Sequence, residues 1–118
     1  MPGDRMRRVN EALREVLSAR ITGGLKDPRI GFVTVTAVDT SPDLSHARVF
    51  VSVLGSDLER DQTLAGLESS RGRLQAGIGR ELRLKRTPTL EFLEDEALVR
   101  GRRITRLLGD AEQEHPGA

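Results

Sequence analysis

Between Arg71 and Arg86 the sequence carries Arg71, Arg73, Arg80, Arg83, Lys85 and Arg86 against a single acid, Glu81. Cations at this density neutralise phosphates, and the planar arginine fork suits two-point contact with a phosphate group. Such contacts hold a nucleic-acid backbone without reading its bases. The same stretch contains Ser70 and Gly72. With so little side chain there, a ligand's backbone can come close to exposed amides. A second basic set, Arg5, Arg7, Arg8 and Arg14, precedes it, with Glu11 and Glu15 spaced to pair at i,i+4. Lys26 and Arg29 flank Asp27-Pro28. A turn uses the Asp and the Pro for its geometry, and so leaves both cations free. Each set also has a plainer reading, because a charge run is commonly a solvated face. Arg enrichment also follows from GC-rich coding.

Other candidate chemistry fails on context. His46 and His115 are too far apart for a known ligand spacing. Glu94, Asp95 and Glu96 are adjacent and fit a solvated turn better than a metal cluster. Gly77-Ile78-Gly79 resembles part of a phosphate loop but follows a helical pattern rather than a strand. Ser69-Ser70 has no base or elbow motif beside it. Arg48 alternates into a mixed strand face, where an acid can pair with it. No catalytic residue, metal ligand, cofactor or small-molecule substrate is expected.

Composition narrows the classes further. The chain has 118 residues, no cysteine and a formal charge of +1. That length fits one domain of the usual ~100–200 residues. Without cysteine there is no disulfide, thiolate zinc site or Cys nucleophile. No apolar run approaches the ~18 residues of a membrane span. The N-terminus reads as no signal peptide, so a cytoplasmic location is expected. The only aromatics are Phe32, Phe50 and Phe92. An RNA partner would therefore meet phosphate contacts and shape, not an aromatic stacking platform.

The elements that must position these groups follow from periodicity. Asp4 can cap a helix starting near Arg5, whose apolar face is Val9, Leu13, Val16, Leu17 and Ile21 and which ends at Gly23-Gly24. Phe32–Val38 and His46–Leu54 read as strands, the second alternating Ala47, Val49, Val51 and Val53 with Arg48, Phe50 and Ser52. A short loop between them implies antiparallel pairing. From Leu58 a long helical pattern follows through Leu64, Leu67, Leu74, Ile78 and Leu82. Its apolar face fails at Ser69-Ser70-Arg71-Gly72, which predicts a kink or two abutting helices. Gly66, Gly77 and Gly79 weaken that pattern. Thr89–Phe92 is a third strand, Ala97–Leu108 a last basic helix, and 109–118 a disordered polar tail. The expected fold is α+β, a three-stranded sheet with helices on one face, in a single domain over 1–108. One core and no heptad seam imply a monomer.

Several segments carry a resemblance. Lys26-Asp27-Pro28-Arg29-Ile30-Gly31, Val35 and Val38, Ser41-Pro42-Asp43-Leu44 and Ala47-Arg48-Val49-Phe50-Val51 come first. Ser70-Arg71-Gly72, Leu82-Arg83-Leu84-Lys85-Arg86-Thr87-Pro88, and Leu98-Val99 with Gly101 and Ile104 follow. In this order and spacing the chain resembles the ribosome-binding factor A family from about Arg5 to Leu108. That resemblance implies a type II KH-like fold, in the order helix, strand, strand, kinked helix pair, strand. The Gly-X-X-Gly loop of ordinary KH domains is replaced at the helix junction by Ala-X-Gly. Ser70 stands where the family usually has Ala, and a small Ser should preserve the close approach.

The resemblance also implies a role. Such proteins bind the free small ribosomal subunit and its 16S ribosomal RNA near the decoding region. They assist late maturation and 5′-end processing of the precursor, by binding and not by catalysis. The alternative expectation is a protein–protein adaptor without RNA binding. Cations converging on one face would favour RNA, and an exposed apolar patch would favour the adaptor.

Overall fold

The computed structural model of the chain describes residues 2–95. The order is α1 (Pro2–Gly24), β1 (Val33–Thr40), β2 (His46–Val53), α2 (Asp57–Ser69), α3 (Arg71–Leu82) and β3 (Thr89–Glu94). The expected helix 97–108 and tail 109–118 lie outside the described residues.

α1 begins at Pro2, earlier than the Asp4 cap predicted. A proline costs little in a first turn, where its missing N–H would have no intrahelical partner. Asp4 therefore sits inside that turn and its Oδ1 accepts a bond from Arg7. The apolar stripe is as read: Leu13, Val16, Leu17 and Ile21 are buried, with Val9 packed against them. Asn10, also on α1, accepts the Thr40 N–H at 2.9 Å and fastens the helix to the end of β1. Burial of one such leucine contributes ~1.5–3 kcal/mol. Leu13→Ala would cost more, ~2–5 kcal/mol, because it also leaves a cavity.

β1 and β2 are antiparallel, while β3 lies parallel to β2 on the far side, giving the order β1-β2-β3. Ala47, Val49, Val51 and Val53 of β2 are buried, and His46, Arg48, Phe50 and Ser52 are not. The helices therefore cover one face. β1 breaks its own alternation. A register shift between Val35 and Ala37 leaves Thr36 extra, so that Val38 and Thr40, instead of Ala37 and Asp39, turn into the core. Phe32, expected within the strand, precedes it and is 80% exposed, with its carbonyl accepting the Leu54 N–H at 3.0 Å.

The long helical pattern is two helices. Ser56 caps α2 in a reciprocal capping box with Glu59. Ser70 separates α2 from α3, buried, with its N–H directed at the carbonyls of Gly66 and Leu67. Leu67, Leu74 and Ile78 enter the core, and Leu64 and Leu82 pack at its border. The glycines that weaken the pattern are places of close approach. A methyl on Gly66 would lie 2.6 Å from Ile30 Cγ1, and one on Gly79 would lie 2.7 Å from Thr87 Oγ1.

Candidate nucleic-acid interface

The 25–31 segment is clamped against α2. Thr63 Oγ1 accepts the Gly31 N–H at 3.1 Å and donates to the Arg29 carbonyl at 3.3 Å. Asp27 organises the turn itself. Its Oδ1 accepts both the backbone N–H of Arg29, at 2.9 Å, and Arg29 Nε, at 3.0 Å, while Oδ2 accepts Nη2 at 2.7 Å. These bonds, with Arg73 nearby, hold the Asp27 carboxyl at about 2, well below its usual range. Arg29 Nη2 also donates to Ser69 Oγ, at 2.9 Å, at the end of α2. Arg29 is thus not left free as the turn chemistry suggested, because its fork is occupied by the acid two residues before it. Lys26 is exposed.

This clamp places Lys26, Asp27, Pro28 and Arg29 opposite Ser69, Ser70 and Arg73, around a cleft of about 420 Å³. A second cleft, about 430 Å³, is lined by Arg20, Leu25, Arg73, Leu74, Ala76 and Arg80. Arg73 borders both. Cations from α1, the 25–31 segment and α3 therefore meet around one side chain. Gly72 sits beside it, with nothing within 4 Å of the position a side chain would take.

The remaining candidates are placed elsewhere. Arg71 is paired with Glu68 at 3.2 Å. Arg83 closes α3 in the left-handed region, φ 50°, and is exposed, as are Lys85 and Arg86 beyond it. A 12-residue helix is ~18 Å long, so Arg71 and Arg83 stand at opposite ends. Arg86 lies near Asp43, whose carboxyl is held at about 2 chiefly by bonds from Ser41 and Ser45. The Arg71–Arg86 run is therefore a strip along α3 and past its end, not one cluster. On α1, Arg7 borders a different cleft, of about 370 Å³, with Asn10, Glu11, Arg14 and Thr36. Its partner is Asp4 at 3.4 Å, and Arg14 pairs with Glu11, so the bonds span i,i+3 where i,i+4 was anticipated. Arg8 is exposed and borders neither of the clefts that Arg73 joins. Arg48 pairs with Asp39 at 2.6 Å, and His46 Nε2 lies 2.8 Å from Glu91 on β3.

With this geometry fixed, the relatives decide the family. The family model for ribosome-binding factor A matches residues 5–108. Ribosome-binding factor A of Anaeromyxobacter dehalogenans (strain 2CP-C) is 51% identical over 109 residues, covering 92% of this chain and 79% of that protein. The Geobacter metallireducens protein of the same name is 44% identical over 110 residues, covering 93% of each. This chain belongs to the ribosome-binding factor A family. The crystal structure of the Thermus thermophilus factor superposes with a TM-score of 0.68 at 32% identity, over 75% of this chain and 94% of that one. Coordinates of a Thermus thermophilus ribosome-binding factor A fitted into a cryo-EM map of its 30S complex give a TM-score of 0.62 at 34% identity, covering 74% and 91%. The fold is accordingly the α+β, KH-like fold of that family.

The family pattern directs attention to the helix junction and the Lys26–Gly31 segment, and the structure brings these two together. Arg20 is a residue that pattern reading missed. Its guanidinium lies flat against Gly77 of α3, and its Nη2 donates to Glu81 Oε1 at 3.2 Å. One signal was available: a glycine at an otherwise helical position, one turn from Arg73 and Arg80, implies that something packs closely there.

Proposed function

We propose that the chain is a ribosome assembly factor. In this reading it binds the free small ribosomal subunit through 16S ribosomal RNA and assists late maturation and 5′-end processing of the precursor. It acts in the cytoplasm, as a monomer and by binding alone. The observation that carries the reading is the convergence of Lys26, Arg29, Arg20 and Arg80 on Arg73, in a member of a family with a relative fitted into a 30S complex. None of Phe32, Phe50 and Phe92 lines those clefts, so the contact is with phosphates and shape. Of the cations nominated from sequence, Arg73, Arg80, Lys26 and Arg29 form the centre. Arg83, Lys85 and Arg86 extend it past α3. Arg71, Arg7 and Arg8 contribute from the periphery. Ser70 is buried at the junction, and Gly72 leaves open space beside Arg73. Sedimentation of a cell lysate tests the whole reading: the chain is expected with free small subunits and depleted from complete ribosomes. Equal association with both would count against it.

One observation favours the adaptor reading. Phe32, Leu54 and Leu58 are 80%, 74% and 67% exposed, so the core does not account for every large apolar residue. None of the three lines a basic cleft. Subunit association that is lost in F32S/L54S but kept in R73A/R80A would move the interface to that apolar edge.

A further inference from the structure

Three arginines border the cleft between α1 and α3: Arg20, Arg73 and Arg80. Arg73 and Arg80 are seven residues apart, two helical turns, and so share one face of α3. Among the described residues neither side chain makes a hydrogen bond or an ion pair. The nearby acid Asp27 is already engaged by the Arg29 fork. Arg20 reaches the same cleft from α1, with only a third of its side chain exposed. Glu81, half exposed, supplies one bond to Arg20 Nη2. Three positive charges thus share one open cleft with one peripheral acid, an arrangement that favours an incoming anion.

Arg20 is held in place by what α3 lacks. A methyl on Gly77 would collide with the guanidinium, 2.7 Å from its Nε. That Nε is buried and has no hydrogen-bond partner. The fold therefore leaves a polar atom unsatisfied to keep this guanidinium flat on the helix. A fork held this way has less freedom to lose when it binds.

We infer that Arg20, Arg73 and Arg80 form a seat for a single phosphate group, with Glu81 holding Arg20 until the phosphate displaces it. The seat rests on the RNA-binding reading for its natural source, a backbone phosphodiester. Free phosphate or a nucleotide offers the same chemistry. The guanidinium forks suit tetrahedral oxygens, and a base edge could not engage all three.

The experiment separates one shared phosphate from three independent contacts. Affinity for purified free small subunits is measured against salt for the wild type, the three single alanine variants and R20A/R73A/R80A. Each neutralised phosphate contributes about 0.7–0.9 to the slope. A single seat predicts that the triple variant loses about one phosphate's worth, little more than R20A alone. A loss near three, or none, in a triple variant folded by circular dichroism overturns the seat while leaving RNA binding intact. E81Q is expected to bind several-fold tighter at low salt, and only where Arg20 is present. An E81Q gain that persists in R20A/E81Q overturns the role given to Glu81.

The second arm needs no ribosome. The buried Nε–H of Arg20 is sheltered from exchange with water and serves as an NMR reporter. Inorganic phosphate, and separately ADP, should shift it in the wild type but not in R73A/R80A. Should wild-type protein ignore subunits yet show this shift, the RNA reading fails and the seat stands with a free phosphate source. Neither binding nor a shift would overturn both.

Discussion

Arg29 places its Nε 3.0 Å from Asp27 Oδ1 and its Nη2 2.7 Å from Oδ2, and the same Nη2 reaches Ser69 at 2.9 Å. One guanidinium thus ties a turn to itself and to the last residue of α2. All three residues of that tie line one of the two basic clefts that Arg73 borders.

The tie should be visible in acid. The Asp27 carboxyl is lowered from its ordinary 3.8 to about 2 by the Arg29 bonds, so the ionised form is favoured by folding. Its contribution is present above 3.8 and is lost as pH falls toward 2. Asp43 behaves alike, through Ser41 and Ser45. Urea midpoints measured from neutral to acid pH should fall across that window in the wild type. The fall should be shallower in D27N and shallowest in D27N/D43N. An unchanged profile in the double variant would contradict the assignment.

Thr63→Val keeps the shape of a buried side chain and removes two bonds to the 29–31 backbone. At ~0.5–1.5 kcal/mol per bond, the expected loss is about 1–3 kcal/mol. Amide exchange at Gly31 should accelerate along with it. A variant as stable as the wild type would mean that Ile30 packing alone holds the segment.

Two glycines should respond in opposite directions. Gly66→Ala drives a methyl into Ile30, and such overpacking costs about 1–3 kcal/mol. Gly72→Ala meets open space on a helix and should gain about 0.4–1 kcal/mol by restricting the unfolded chain. If RNA comes close at the junction, G72A should also weaken subunit binding despite its added stability. Thermal melts and subunit titrations on the same samples check both effects.

Arg80 near the end of α3 and the cations beyond it are exposed, and their contribution should be purely electrostatic. R80A/R83A/K85A should flatten the salt dependence of subunit binding by roughly 2–3 if Arg83 and Lys85 each meet a phosphate other than the one that Arg80 shares. The fold should survive, since all three are exposed. An unchanged slope would shift the contact toward Arg7, Arg8 and Arg14.

Periodicity alone yields the first helix, both long strands, the break near Ser70 and the short third strand. Each rests on a local rule, the spacing of Leu13 and Leu17 or the alternation from Ala47 to Val53, that the tertiary fold did not override. The Ser56–Glu59 capping box was missed, although Ser-x-x-Glu stands in the sequence. The β1 bulge was not legible, because an extra Thr36 leaves a run of β-branched residues looking like any other strand. The start of α1 was misplaced for a related reason: Pro2 and Asp4 both suit a first turn, and pattern does not rank them.

The nominated cations were all legible as charges, because a side chain's type is written in the chain. Which of them share space was not. Arg71 and Arg86 sit in one basic run, yet a helix sets them at opposite ends, beside Glu68 and Asp43. Arg20 and Arg80, sixty residues apart, border one cleft because α1 packs on α3 where Gly77 has no side chain. Sequence determines local conformation through short-range sterics and periodicity. Charge convergence depends on which helices touch and at what distance, and only the packed core decides that.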